Sequence, residues 1–198
     1  STLNAKNLEA LGAERLAQLL IEISTGDAAA KRKLRLALAG AEGPKEAARE
    51  IAKRLTSIAR ARTFVNWQNR KPLVKDLETQ RSAIMEQIAL YDPREALGLL
   101  WRFMGLATPV FERCDDSSGT VIGIFHQACA DLGEVAKTAG PEPEALARQV
   151  LDALQDNGFG QYDGLIATIA PALGPEGVAH MKHLVEDLGR TPVPVPPK

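Results

Sequence analysis

Runs of strand-forming residues are nearly missing from this sequence, aromatic residues make up only 5% of it, and 198 residues contain two cysteines. Each shortage excludes something. Cys114 and Cys129, fifteen positions apart, form neither a CxxC pair nor a secreted disulfide framework, so a reducing cytoplasm is the expected compartment. The longest uncharged apolar run, 164–175, is shorter than the ~18 residues of a membrane span and contains Pro171, so no membrane is expected as a partner. The first six residues lack the apolar stretch of a secretory signal. An excess of one charge is missing too: 24 basic and 25 acidic side chains leave a net charge of −1, which names no partner. A chain that is 45% hydrophobic and 25% charged is globular, and its length suffices for one sizeable core or two small ones.

What is there is helical periodicity with regular punctuation. Leu16, Leu19, Leu20 and Ile23 recur at i, i+3, i+4, i+7, stopped by Gly26. Asp27 reads as the N-cap of a helix over 28–39 that Gly40 closes, and Gly43-Pro44 opens the next, with Ala48, Ile51, Leu55, Ile58 and Ala59 inward. Pro72 opens another, with Leu73, Leu77, Ile84 and Ile88 inward. Asp92-Pro93 starts 93–107, which is apolar on nearly all sides and therefore expected at the centre. Further helices are expected over 118–138, 143–157, 162–173 and 175–188, the last with Val178, Met181, Val185 and Leu188 inward. Residues 63–67 are the one internal strand-like run, and their basic, helix-forming flanks make them a linker. The fold class is all-α: about eight or nine helices packed as antiparallel pairs, either a bundle or a short solenoid-like array of the tetratricopeptide or HEAT kind, in one domain over 1–190. Four prolines in 191–198 make that segment a linker or tail, and with the absent initiator methionine they point to a longer chain.

Charge is distributed unevenly. Residues 1–30 carry −2, residues 31–71 carry +9 and residues 72–198 carry −8. The basic block holds Lys31, Arg32, Lys33, Arg35, Lys45, Arg49, Lys53, Arg54, Arg60, Arg62, Arg70 and Lys71, with Phe64 and Trp67 interleaved. Clustered cations neutralise phosphates and an aromatic ring stacks on a base, which makes the block a nucleic-acid surface. Lys45, Arg49 and Lys53 share one helical ridge, with Arg60 about two turns on. The same charges also suit docking on the acidic remainder, an acidic protein partner, or a solvated helix face with Glu50 and Arg54 paired at i, i+4. Trp67 is either a stacking platform or a core anchor.

The most polar knot is Asp115-Asp116-Ser117-Ser118. Its carboxylates and hydroxyls read as the cap of the following helix, as a contact loop, or, with His126, as ligands for a hard cation. The twelfth position of an EF-hand loop begun at Asp115 is His126 rather than glutamate, so that template fails. Tyr162 and Asp163, in the turn-rich 157–164, either form a recognition patch or orient the turn. His180 and His183 stand one turn apart with no further ligand spaced to complete a metal shell. No cofactor or catalytic motif is present. The first functional reading is a non-enzymatic helical scaffold that binds another macromolecule, most simply a protein. Nucleic-acid binding through 31–71 is the alternative, and a metal-dependent enzyme at Asp115-Asp116 is the third.

Arg54-Leu55-Thr56-Ser57-Ile58-Ala59-Arg60, Phe64-Val65-Asn66-Trp67-Gln68 and 111–119 (FERCDDSSG), together with Asp92-Pro93 and Tyr162-Asp163-Gly164, resemble a family of uncharacterised bacterial proteins known as a domain of unknown function. The resemblance covers most of the chain. It implies a predominantly helical fold in longer chains and supplies no activity, cofactor or catalytic residue.

Overall fold

The apolar periodicity becomes a helical core in the structure, a computed structural model that describes residues 2–190; the proline-rich 191–198 lies outside the described residues. In chain order the helices are α1 (Ala5–Glu9), α2 (Gly12–Ser24), α3 (Ala28–Glu42), α4 (Pro44–Arg60), α5 (Arg70–Ala83), α6 (Pro93–Met104), α7 (Ala107–Phe111), α8 (Thr120–Ala139), α9 (Pro143–Gln155) and α10 (Leu165–Arg190). A 3₁₀ turn at Trp67–Asn69 leads into α5, and a π turn at Ile84–Ile88 continues it. The fold is all-α. Asp27 Oδ1 accepts from the amides of Ala29 and Ala30, and Asp92 Oδ1 from that of Glu95, so both sequence-read caps form. Gly40 does not end α3, which runs on to Glu42 before Gly43 leaves the helix at φ 141°. α10 is two helical arms joined at Gly174, whose φ of 61° breaks the ladder between Pro171 and Pro175.

One connected apolar cluster runs from Leu36 on α3 to Leu173 on α10. Its centre is α6, where Ala96, Leu97, Leu99, Leu100, Phe103 and Met104 are all buried, as the near-absence of charge on that helix requires. α6 packs on α8 and α4, α3 on α4, and α10 on both α8 and α9. Phe125 of α8 packs against Phe103 and Phe111 with tilted rings, each at 5.5 Å between ring centres. The π turn, with Ala89 N–H donating to Ile84 O (2.9 Å), re-phases the helix so that Ile84 and Ile88 both bury completely.

Two stripes expected to be inward are not. On α2, Leu20 and Ile23 are exposed while Leu16 and Leu19 are half-covered, because the main neighbours of α2 are only α1 and α3. On the second arm of α10, Val178, Val185 and Leu188 face solvent and only Met181 packs on the core. Amphipathic spacing marks an apolar face; it does not supply the neighbour that buries it.

Residues 63–67 link helices as expected, but Val65 also forms a single parallel β-bridge with Cys114. Val65 N–H donates to Arg113 O (2.7 Å), Asp115 N–H donates to Val65 O (3.0 Å), and Arg113 Nη1 reaches back to Thr63 O (3.2 Å). The motifs at 54–60, 64–68 and 111–119 are therefore one junction, which fixes where α5 starts. No described helix is long and apolar enough to cross a membrane.

Candidate nucleic-acid interface

The +9 block spreads over α3, α4 and the start of α5, and two of its members are taken up by the acidic remainder. Arg54 forks onto Asp76 of α5, with Nε at 2.8 Å, instead of pairing with Glu50 as the i, i+4 spacing suggests. Glu50 instead holds Lys53 at 2.6 Å. Arg70, half-buried, donates from Nη1 to Asp115 O (2.9 Å) and lies 3.9 Å from the Asp116 carboxylate, so it belongs to the junction and is not a free cation. Arg49 pairs with Glu46 at 2.7 Å. These i, i+3 surface pairs are weak, but they lower the net charge of the ridge through Lys45, Arg49 and Lys53. Lys31, Lys33, Arg35, Arg60, Arg62 and Lys71 are exposed, with no acidic partner among the described residues.

Where α3 begins beside α5 there is a cleft of ≈ 550 Å³, with Arg32 and Lys33 on one wall and Lys71 and Lys75 on the other. Lys71 and Lys75 sit at i, i+4 and so share a face of α5. The same two lysines line an adjoining recess of ≈ 630 Å³ whose far side is Trp67, making one continuous surface from Trp67 to Arg32. Beyond Arg32 the surface continues past Arg35 to Lys53. Asp76 in the cleft is already neutralised by Arg54. Asp27 is ionised: the amide of Ala30 above all, then that of Ala29 and the charges of Arg32 and Lys75, hold its carboxyl below the ordinary value.

Arg32 Nε and Gln80 Oε1 are buried here with no hydrogen-bond partner among the described residues, and Gln80 is only 4% exposed. Gln87 Oε1, Trp101 Nε1, Arg113 Nε and His180 Nε2 stand in the same state elsewhere among the described residues, so this feature does not set the cleft apart. Lys75 and Gln80 were not singled out in the sequence reading. The available signal was the pair Lys71 and Lys75 at i, i+4 on one helix, which crosses the boundary of the basic block.

Trp67 is 63% exposed, which removes the core-anchor reading. Its backbone is nevertheless held: Asn66 Oδ1 accepts from Asn69 N–H (2.9 Å), and Val65 is bridged to Cys114. Phe64 is exposed too.

The acidic knot is a helix start. Asp116 Oδ1 and Oδ2 accept from the amides of Val121 (2.9 Å) and Ile122 (2.8 Å) in the first turn of α8, and Gly119 supplies the left-handed turn at φ 69°. Asp115 Oδ1 accepts from Ser117 N–H (3.0 Å), and Ser118 Oγ accepts from Thr120 N–H (3.3 Å). His126 Nε2 turns away and donates to Gly160 O (2.9 Å). Among the described residues no three His, Cys, Asp or Glu side chains stand close enough to hold a metal ion. Because the Asp116 side chain is 7% exposed, Asp116→Ala is expected to cost about 2 kcal/mol, read from the urea midpoint.

Tyr162 is corrected from a contact residue to a core one. It is 6% exposed and packs on Trp101 at 6.3 Å, and burial pushes its hydroxyl up to about 12. Asn157 Oδ1 accepts from Tyr162 N–H (2.8 Å), while Asn157 Nδ2 donates to Asp163 Oδ1 (2.9 Å), which sets the turn before α10. Cys114 and Cys129 are free, buried thiols; burial pushes Cys129 up to about 11.

The whole chain, residues 1–198, matches the model of a family of unknown function, DUF6880, and belongs to that family. No curated protein and no solved structure matches it.

Proposed function

We propose that this member of a family of unknown function is a helical binding module for nucleic acid, with the α3–α5 cleft as its site. The observation that carries the reading is where the cations point. Of the twelve basic residues in 31–71, the acidic remainder engages Arg54 and Arg70, whereas Arg32 and Lys33 join Lys71 and Lys75 around one cleft. Bulk charge near zero hides this concentration, and counterion release from phosphates rewards it. The two free, buried thiols suit a reducing compartment such as the cytoplasm.

Fluorescence anisotropy with oligonucleotides across a salt series tests the proposal. Binding should weaken by about 0.9 log units per log unit of salt for each phosphate neutralised on duplex, somewhat less on a single strand. Lys71→Glu with Lys75→Glu, both on an exposed face of α5, should weaken binding and lower the salt slope by about two. An unchanged slope in that variant sinks the cleft as the site. No binding at low salt passes the reading to a protein partner, which the exposed apolar stripe of Leu20, Ile21 and Ile23 on α2 favours.

A further inference from the structure

The cleft and the tryptophan recess are one surface, and their chemistry differs along it. At the Trp67 end stands an exposed indole ring on a pinned turn; at the other end are four cations against one ionised carboxylate, Asp27, with Asp76 already paired to Arg54. A phosphate-only ligand uses the cations and leaves the ring idle. A duplex does the same, because its base faces are stacked on one another and only its backbone and groove edges are offered. A strand with an unstacked base uses both ends: every base has a π-face, and its own phosphodiesters run alongside.

Resting on the nucleic-acid reading above, we infer that the ligand is single-stranded, with one base stacked on Trp67 and the adjoining phosphodiesters held by Lys71, Lys75 and Arg32. The order of the residues along the surface supports this. Lys71 and Lys75 share a face of α5, Trp67 on the 3₁₀ turn before it lines the same recess, and Arg32 lines the adjoining cleft from α3. Arg32 lines the cleft, and a guanidinium is a charged donor for phosphodiester oxygens. The turn that presents Trp67 is already fixed by Asn66 and by the Val65–Cys114 bridge, so stacking has little backbone ordering to oppose it.

The experiment uses the 198-residue chain with a mixed-sequence 12-nucleotide DNA strand and the duplex of the same sequence, by anisotropy at low salt. The single strand is expected to bind about ten-fold more tightly than the duplex. Trp67→Ala should remove about ten-fold of the single-strand affinity and leave duplex affinity unchanged, while Trp67→Phe restores most of the loss. The exposed ring makes Trp67→Ala benign for folding, which the thermal midpoint verifies. In a Trp101→Phe variant Trp67 is the sole tryptophan, and its fluorescence should be quenched on adding the single strand and not on adding inorganic phosphate. Equal affinity for both forms, or full single-strand affinity in Trp67→Ala, overturns the inference while leaving the basic cleft in place. Failure of both oligonucleotides to bind overturns it together with the nucleic-acid reading.

Discussion

Asp131→Ala should lower the stability of this protein by about 3–5 kcal/mol, the largest loss expected from any single polar truncation in it. Asp131 of α8 is 8% exposed and accepts from Arg81 Nη1 of α5 at 2.5 Å and from Gln127 Nε2 at 3.1 Å. Burial works against the Arg81 charge, but the hydrogen bond and charge of Asp131 outweigh it, with help from Glu78, and hold the guanidinium above its ordinary pKa. Deleting Asp131 leaves that guanidinium desolvated with only the part-exposed Glu78, at 3.2 Å, to answer it. The cost is that of a half-buried guanidinium left with its weaker partner, and not only of a lost contact. The double replacement Arg81→Met with Asp131→Leu should therefore recover most of the stability. Urea unfolding of the two variants measures this, and a loss under 1 kcal/mol in the single variant would show that the pair does not fasten α5 to α8. Typical domains have only about 5–15 kcal/mol in total, so the single variant should also melt many degrees earlier.

Gly133→Ala should cost about 3 kcal/mol, although alanine is the better helix former by about 1 kcal/mol. A methyl group at position 133 would meet the backbone carbonyl oxygen of Thr168 at 2.6 Å and its carbonyl carbon at 2.8 Å. Neither atom can yield without moving α10 off α8, whereas a flexible side-chain tip could swing aside. Gly123, ten residues earlier on the same helix, is exposed and has nothing within 4 Å of the same methyl position. Gly123→Ala should stabilise by up to about 1 kcal/mol. Thermal melts of the two variants should shift in opposite directions. A shift in the same direction would mean that α8 and α10 do not approach as closely as the Gly133–Thr168 contact requires.

Both variants bear on how function is carried. α8 receives the Asp116 cap at its start, and that same carboxylate lies 3.9 Å from Arg70, at the head of the helix bearing Lys71 and Lys75. Arg81–Asp131 fastens the other end of α5 to α8. The acidic residues of the knot thus act on the candidate site by positioning its lysine ridge, and need no ligand of their own to do so.

Helix type, most helix ends and the inward faces of α4, α5, α6 and α8 were legible from residue order alone. The signals that specify them act within one turn: an Asp side chain caps amides two or three residues on, proline suits a first turn, and apolar residues at i, i+3, i+4 share a face. The same locality explains the misses. Nothing within one turn of Leu20 or Ile23 tells whether another helix arrives to cover them, and none among the described residues buries them. Tyr162 sits in a turn whose composition suggests a surface, but its ring is carried under Trp101, sixty-one positions earlier. Segment 31–71 stood out as basic in the sequence, yet its most regular ridge is partly answered by its own Glu46 and Glu50. The charges that converge come from α3 and from α5, including a lysine outside the block. Local chemistry, then, is enough to state that this chain folds as helices and where most of the long ones lie, although α5 starts at Arg70 ahead of Pro72 and the short α1 and α7 carry no such signal. Which cations end up facing one another, and whether an indole ring beside them stays in water, depends on how residues some forty positions apart are brought together, and that is set by α4, on which α3 and α5 both pack.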